Sequence, residues 1–184
     1  MSIVGRLGFG ICLMVAGYAL KSAANTGGPT TTTANGMQIS RPAGAPPIAN
    51  VRNDDTEMAA AHAKALAGIG EFWAALDRKA PNEKSHMLKV RFPVAGESAI
   101  KGEQVWVADV RREGAGRYSA RLDNKPRNLP QFRIGDRVDF VDGMITDWMF
   151  IRDGKLVGNE TMRVALARMP KAEAEKLRAM VEKP

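Results

Sequence analysis

Asp147 is the residue of this chain best suited to chemistry, because it stands next to Trp148 inside the apolar run "ITDWMFI". A carboxylate on an apolar strand face needs a partner, since an unpaired buried carboxylate is costly and takes up a proton instead. Asp147 is therefore either one member of a structural pair or a general acid or base helped by Arg163 or Arg137. The second alternative would suit a small hydrolase or isomerase.

Few other groups in the sequence could carry out catalysis. The chain has two histidines, His62 and His86, and one cysteine, Cys12. The stretch "GESAI" around Ser98 is not a nucleophile elbow, because Ile100 stands where that motif has glycine. There is also no Walker loop, no dinucleotide glycine fingerprint and no H-E-x-x-H. The sequence therefore predicts no metal site and no cofactor.

Positive charge is concentrated in one segment, residues 111–137. The chain has a formal net charge of +7, and this segment contributes eight basic residues against three acidic ones. A local basic patch attracts anionic partners through a field that salt screens over about 8–10 Å. A solvated basic surface without a partner is the alternative. The candidate binding residues are Arg117, Arg121, Lys125, Arg127, Arg137 and, as an apolar anchor, Trp148.

The N-terminus resembles an export signal. Arg6 precedes an apolar run over residues 7–20, and small residues up to Ala24 are typical of a signal peptidase site. The run ends at Lys21, short of the roughly 20 apolar residues that a membrane-spanning helix needs. Residues 1–24 are predicted to be a cleaved signal peptide or a short anchor in the inner membrane. The protein would then be exported, either into the periplasm or anchored and facing it.

Residues 25–53 are predicted to be a disordered tether. The stretch is rich in Thr, Pro and Gly and has few large apolar residues, so burial cannot offset the loss of conformational entropy. The remaining residues, 54–184, are predicted to form a single domain of ordinary size.

The domain begins with a predicted helix that ends before Pro81. Asp54 and Glu57 have the spacing of a capping box, and apolar residues then recur every three or four positions. Gly68 and Gly70 lower helix stability, which predicts close packing against another element at these positions.

Strands are predicted after this helix because the apolar period drops to two. "SHMLKVRFPV", "EQVWVADVRR" and "RYSARL" alternate in this way, and the stretch around Asn124 and Pro126 is predicted to be an irregular connection. In the second strand, Trp106, Ala108 and Val110 are predicted to share one face. In the third strand, Arg117 and Arg121 are predicted to point outward together.

Two Asp-Gly pairs predict two consecutive hairpins, because a type I′ turn needs positive φ at both central residues. The pair at 142–143 would place Val138 opposite Asp147 and Arg137 opposite Trp148. The pair at 153–154 would place Ile151 opposite Leu156. The face that carries Asp147 is predicted to lie under the N-terminal helix, and Trp148 is predicted to lie beneath Arg137 on a half-open face.

Two short helices are predicted at the C-terminus. Asn159 is placed to cap the first, which ends near Met169, and Pro170 begins the second. The predicted fold class is α+β, with an N-terminal helix packed on a curved, mainly antiparallel sheet of about five to six strands.

Residues 56–168 resemble the YegJ-like family of bacterial proteins, a domain of unknown function. The order of "EQVWV", "ARLDNKP", "IGDRVDF", "ITDWM" and "GNETMRV" carries the resemblance. It implies an α+β domain with a curved sheet, and it implies no reaction and no catalytic residue. The positions that bear these motifs are Trp106, Leu122, Asn124, Pro126, Gly135, Asp136, Asp147, Trp148, Gly158, Thr161 and Arg163.

The leading functional hypothesis is a non-catalytic binding domain of the cell envelope. Its partner would be an anionic envelope polymer or an acidic protein, such as a toxin neutralised by an immunity-type protein. Nucleic acid is not expected as a partner of an exported protein. The alternatives are the small hydrolase or isomerase that uses Asp147 and a purely structural accessory domain.

Overall fold

The structure is a computed structural model that describes Thr30–Ala34, Met37–Arg41, Ile48–Asn50, 55–95 and 102–182. The first three segments are strands β1, β2 and β3, which form an antiparallel sheet in that order. They lie within the stretch predicted to be a tether, and the run of threonines in β1 favours strand geometry because β-branched side chains suit a pleated surface. The predicted signal peptide or anchor, residues 1–24, lies outside the described residues. No helix among the described segments is long and apolar enough to cross a membrane.

The predicted N-terminal helix is two helices, α1 (Thr56–Ala67) and α2 (Ile69–Arg78). The residue that caps α1 is Asp55, whose Oδ1 accepts a hydrogen bond of 3.0 Å from the amide of Met58. Gly68 interrupts the helix with φ −92° and ψ 1°. A Cβ at Gly68 would lie 3.4 Å from the Trp148 ring, so the predicted close packing occurs here. A Cβ at Gly70 would meet nothing within 4 Å, so the predicted close packing does not occur at Gly70.

The main sheet is antiparallel and has six strands in the order β7-β6-β5-β4-β8-β9. Together with α1, α2 and two C-terminal helices it forms an α+β domain, which confirms the predicted fold class. The remaining elements are β4 (Glu83–Pro93), β5 (Gly102–Gly114), β6 (Arg117–Leu122), β7 (Arg137–Val141), β8 (Ile145–Arg152), β9 (Lys155–Gly158), α3 (Glu160–Arg168) and α4 (Lys171–Arg178).

The face of this sheet that lies against α1 and α2 is called the inner face. It forms the main core, in which Phe72 of α2 packs with side chains of all six strands. These strand residues are Leu88, Val90, Phe92, Val105, Val107, Ala120, Leu122, Val138, Phe140, Ile145, Trp148, Phe150 and Val157. Burial of so many apolar side chains, at about 25 cal/mol per Å² of apolar surface, is the main stabilisation of the domain.

The opposite face is called the outer face, and only part of it is covered. Over β8 and β9, Met162 of α3 and Val181 pack against Met149 and Leu156 in a second apolar cluster. Val181 follows α4 and makes a parallel bridge to Leu156. Among the described residues, no helix covers the outer face of β5, β6 and β7. The two C-terminal helices occur where they were predicted, and Pro170 stands at the start of α4.

A bulge in β5 changes the predicted faces of that strand. The register between β5 and β6 shifts between Ala108 and Arg111, and Asp109 has a φ of 52°. The extra residue reverses the alternation, so Trp106 and Ala108 lie on the outer face while Val110 packs into the inner core. The prediction that these three residues share a face is therefore wrong for Val110.

The hairpin predicted at Asp153 and Gly154 is confirmed. Both residues have positive φ, 49° and 76°, as a type I′ turn requires. β8 and β9 pair in the predicted register, with Ile151 opposite Leu156.

The hairpin predicted at Asp142 and Gly143 is wrong. These residues begin a 3₁₀ turn, Asp142–Met144, and neither has positive φ. β7 pairs with β6, β8 pairs with β4, and three strands lie between β7 and β8 in the sheet. Val138 therefore does not face Asp147, and Arg137 does not face Trp148.

The faces predicted for β8 are reversed as a consequence. Trp148 pairs with Leu88 of β4 and lies on the inner face under the helices, whereas Asp147 pairs with Lys89 and lies on the outer face. A register shift between Lys89 and Val90 keeps Ile145 on the inner face as well. The prediction depended on β7 as the neighbour of β8, and the true neighbour, β4, sets the opposite orientation.

Candidate functional site

Asp147 is fully buried, and its carboxylate caps α3 from the neighbouring strand. Its two oxygens accept hydrogen bonds from the amides of Glu160 at 3.2 Å and Thr161 at 3.0 Å. They also accept from the Thr161 hydroxyl at 2.6 Å and from the amide of Trp148 at 2.9 Å. A carboxylate at a helix N-terminus satisfies amides that lack a partner within the helix and interacts favourably with the helix dipole.

The side chain of Asn159, predicted to be the cap, does not perform that role. Asn159 has a φ of 55° and makes no capping hydrogen bond with its side chain. Its amide nitrogen instead lies 3.6 Å from the sulfur of Met149 and 3.5 Å from that of Met162. Capping of α3 is thus a tertiary interaction between residues more than ten positions apart in the sequence.

Lys89 of β4 supplies the positive charge beside Asp147. Its Nζ lies 3.9 Å from Asp147 Oδ2 and donates a hydrogen bond of 2.5 Å to the Thr161 hydroxyl. The same ammonium group lies 4.6 Å above the centre of the Trp106 ring, a cation–π arrangement. Lys89 was not among the predicted site residues, although a lysine on the strand face it shares with Met87 and Arg91 is the signal that could have identified it.

Asp147 has the contacts of a structural carboxylate. Four donors and one ammonium group already surround it, and neither of its predicted helpers contacts it. Arg163 pairs with Glu160 at 3.3 Å, and Arg137 lies on β7 at the other side of the sheet. The role of Asp147 as a catalytic acid stays a prediction, and its geometry favours the structural alternative.

Trp148 is not exposed as an apolar anchor. The residue is 4% exposed, and its indole N–H donates a hydrogen bond of 2.7 Å to the carbonyl of Ala65 in α1. On its other side the ring packs against Gly158, where a Cβ would lie 2.6 Å from ring carbon Cε3. The predicted neighbourhood of Trp148 and Arg137 does not exist, because the two residues are on different faces of distant strands.

The predicted arginines of β6 and β7 do lie together, on the outer face of β5, β6 and β7. Arg121 is directly opposite Arg137, and Arg111 of β5 is opposite Ser119, which stands between Arg117 and Arg121 on β6. All four arginines are exposed. We call this surface, formed by Arg111, Arg117, Arg121 and Arg137, the cationic face.

Acidic groups neutralise only part of the cationic face. Glu113 pairs with Arg137 at 2.9 Å and accepts a hydrogen bond from Ser119 at 2.5 Å. The Ser119 hydroxyl and the nearby arginines lower the pKa of Glu113 below its usual value, so this carboxylate is charged at neutral pH. Arg121 has no ion-pair partner among the described residues and donates to the carbonyl of Gly135.

The pairing of arginines differs inside and outside the basic segment. Within residues 111–137 only Arg112 and Arg137, of seven arginines, are ion-paired with described residues. In the rest of 55–95 and 102–182 four of six arginines are paired, namely Arg78, Arg152, Arg163 and Arg168. Five arginines of the segment thus have no ion-pair partner among the described residues.

Lys125 and Arg127 lie on a connection whose backbone is held in place. Glu103 accepts hydrogen bonds of 2.7 Å from the amides of both Arg127 and Asn128, and Asn124 accepts one of 2.7 Å from the amide of Trp106. The side chains of Lys125 and Arg127 are exposed. These two residues carry charge on an ordered loop between β6 and β7.

Comparison with known proteins identifies a family without an established activity. Residues 55–181 match the family described as uncharacterized protein conserved in bacteria (DUF2314), and the chain belongs to this family. A protein of Neisseria meningitidis serogroup B whose name contains the words "ankyrin repeat protein" is 31% identical over 87 residues, which are 47% of this chain and 34% of that relative. The chain thus spans about a third of the length of this curated relative. No solved structure matches the chain significantly.

Proposed function

We propose that this member of the DUF2314 family is a non-catalytic binding domain of the cell envelope. Its partner is an anionic macromolecule, either an envelope polymer or an acidic protein, and the cationic face with Lys125 and Arg127 recognises it. Neutralisation of a toxin by an immunity-type protein is one form that binding to an acidic protein could take. The narrower assignment to the YegJ-like family belongs to the same proposal.

The observation that carries the proposal is the placement of Arg121 opposite Arg137 on an exposed sheet surface. Like charges at directly opposed positions destabilise a sheet, and no nearby acidic residue pairs with Arg121 among the described residues. Arg137 is paired with Glu113 and Asp139, so Arg121 is the member of the opposed pair that lacks a countercharge, which an anionic partner would supply.

Arginine is also well suited to such a contact. Its planar guanidinium group binds carboxylate and phosphate oxygens with two parallel hydrogen bonds, and it is enriched among the residues that dominate interfaces. Complementary charge raises the rate of association and makes it dependent on salt. Binding through the cationic face should therefore weaken as the ionic strength rises.

The location in the envelope is supported by the sequence of residues 1–24, with Arg6 ahead of an apolar run and small residues up to Ala24. An exported protein meets anionic polymers and acidic proteins but not cellular nucleic acid. Mass spectrometry of the mature N-terminus would test this part of the proposal, because cleavage after Ala24 or retention of residues 1–24 distinguishes a free from an anchored protein.

Charge reversal of Arg117 and Arg121 to Glu tests the binding role. We expect the double variant to lose most of its affinity for heparin, used as a soluble polyanion, and to capture less protein from an envelope extract at about 0.15 M salt. The matched control reverses Lys84 and Lys171, which are exposed and lie outside the cationic face. This control changes the net charge equally, so equal losses in both double variants, or no loss in either, would contradict the proposal.

A further inference from the structure

The edge strand β7 offers a second, more specific feature beside the cationic face. We propose that the partner is an acidic protein and that an extended segment of it pairs with the free edge of β7 as a seventh strand. This inference rests on the proposed function and commits it to a polypeptide partner rather than a polymer. Addition of a strand to an exposed sheet edge is a common mode of peptide recognition, in which backbone hydrogen bonds provide affinity and alternate side chains provide specificity.

The hydrogen bonds between β6 and β7 indicate which peptide groups of β7 are free. The amide of Leu122 donates to the carbonyl of Asp136 at 3.0 Å, and the amide of Asp142 donates to that of Gly116 at 3.1 Å. In an antiparallel pair such bonded positions alternate with unbonded ones. The backbone groups of Arg137, Asp139 and Val141 therefore point away from β6, and among the described residues β7 pairs with no other strand.

Exposed apolar side chains stand at both ends of this edge. Ile134 is 63% exposed and Val141 is 46% exposed. Leu66 of α1 is the third large hydrophobic residue of comparable exposure in 55–95 and 102–182. β7 has neither a proline nor a bulge, two of the devices by which natural edge strands avoid pairing with other chains.

The arginines near the edge of β7 favour an acidic partner. The side chains of Arg137, Asp139 and Val141 lie on the same side of the sheet as Arg121, so a strand added at the edge would place alternate side chains next to these three residues. An acidic residue next to Arg137 would be attracted, and Asp139 is the one β7 side chain that would oppose an acidic neighbour. A second copy of this chain would instead bring two cationic faces together, and its net charge of +7 opposes that association.

Substitution of Asp139 by Pro tests the edge directly. Proline removes the one amide at the centre of the free edge, and it is tolerated on an edge strand where that amide faces solvent. The matched control is Asp139→Ala, which keeps the amide and removes only a side chain that is 80% exposed. Far-UV circular dichroism and the amide spectrum of β6 verify that both variants keep the sheet.

The probes are a synthetic ten-residue peptide of alternating Thr and Glu, the same peptide with Lys in place of Glu, and heparin. We expect the native protein to bind the Thr-Glu peptide and not the Thr-Lys peptide in fluorescence anisotropy. Asp139→Pro should weaken binding of the Thr-Glu peptide at least about tenfold, which corresponds to roughly 1.4 kcal/mol. It should leave heparin binding unchanged, and Asp139→Ala should bind the Thr-Glu peptide at least as well as the native protein does.

A second measurement does not depend on any variant. In hydrogen exchange of the native protein, the amides of Arg137, Asp139 and Val141 should gain protection when the Thr-Glu peptide is added but not when heparin is added. Equal binding of the peptide by the native protein and Asp139→Pro, or no binding up to about 1 mM, overturns the inference. A dimer that Asp139→Pro dissociates also overturns it, because the edge would then be occupied by a second copy.

The outcomes for the inference and for the proposed function are distinguishable. If Arg117→Glu with Arg121→Glu abolishes heparin binding while Asp139→Pro changes nothing, the cationic face remains a binding surface and only the strand addition fails. If the double reversal leaves both probes bound, the proposed function itself fails.

Discussion

The outer face of the sheet has two halves that differ in the environment of their charged side chains. Over β8 and β9, which we call the closed half, α3 and the segment after α4 cover the buried carboxylate of Asp147 and the partly buried ammonium group of Lys89. Asp147 has four hydrogen-bond donors. Over β5, β6 and β7, the open half, arginines face each other in solvent, with Glu113 and Asp139 among them. In the closed half the charged groups fix the position of a helix.

The difference between the halves separates residues that support the fold from residues that are free to bind. A buried charged pair is strongly destabilising to break, because one partner is left uncompensated. Exposed charges contribute about 0–1 kcal/mol to stability. Substitutions in the closed half should therefore affect stability, whereas substitutions in the open half should affect binding.

Trp148→Ala should produce the largest loss of stability. The substitution leaves a cavity between α1 and β9 and removes the hydrogen bond to Ala65, and loss of a buried Trp typically costs about 3–5 kcal/mol. Urea denaturation measures the free energy of unfolding. Leu66→Ala on the exposed side of α1 serves as control and should change it by less than about 0.5 kcal/mol. Similar values for the two variants would contradict the assignment of Trp148 to the core.

Asp147→Ala should lower the free energy of unfolding by about 3 kcal/mol, because Lys89 and the first amides of α3 lose a buried partner. Asp147→Asn keeps the shape and some acceptors, so a smaller loss is expected. Hydrogen exchange should show earlier opening of α3 in both variants.

Asp139→Ala is the control for Asp147, because Asp139 is an exposed carboxylate on the open half. It should leave stability within about 0.5 kcal/mol of the native value. A loss at position 139 as large as that at position 147 would remove the distinction between the two halves.

His86, which packs against Phe72 and Phe150 of the inner core, should make the domain sensitive to mild acid. Its ring stacks on Phe150 at 5.2 Å, and burial lowers the pKa of His86 below its ordinary value of 6.5, an effect that Glu83 opposes and Arg78 supports. As the pH falls through 6.5, the unfolded chain binds a proton before the folded one does, so the free energy of unfolding decreases until the folded pKa is reached.

The measurement compares the free energy of unfolding by urea at about pH 7.5 and about pH 5.5, which lie above and below the ordinary histidine pKa. His86→Phe should lose less stability on acidification than the native protein does. His62→Gln is the second variant, because burial also lowers the pKa of His62. His62 should account for the pH dependence of stability that remains in His86→Phe. An unchanged pH dependence in His86→Phe would show that other groups cause it.

Arg121→Glu should have the smallest effect on stability, and in the opposite direction. It replaces two opposed arginines by an ion pair with Arg137, so the free energy of unfolding should rise by roughly 0.5 kcal/mol. The gain should vanish in about 1 M salt, where the screening length is near 3 Å. A loss of more than about 1 kcal/mol would indicate that Arg121 supports the fold and does not serve binding.

Sequence analysis succeeded where local pattern and geometry agree. The hairpin at Asp153 and Gly154 formed as predicted because both residues adopt the positive φ that the turn needs. The hairpin at Asp142 and Gly143 failed although the dipeptide is the same. There, β7 pairs with β6 and β8 pairs with β4. A local turn preference is too small to outweigh these two strand pairings.

The candidate site likewise has features that were predicted from the sequence and features that were not. That Arg117 and Arg121 share one surface was predicted, because they are four residues apart on one strand. Arg137 was predicted opposite Trp148 and instead lies opposite Arg121. The hydrogen bonds by which Asp147 caps α3 were not predicted either. They join residues 13 and 14 positions apart, and no local period in the sequence encodes such contacts.

By itself, the sequence determined the α+β class, most helical and strand segments of residues 55–182, and the concentration of positive charge in residues 111–137. These follow from periodicity, turn residues and composition, which act over a few positions along the chain. Only the tertiary structure decided which strands are neighbours, and therefore that Trp148 is covered by helices while Arg121 and Arg137 remain in solvent. Side chains alternate with a period of two, so the choice of neighbour and its register assigns every residue of a strand to one face or the other.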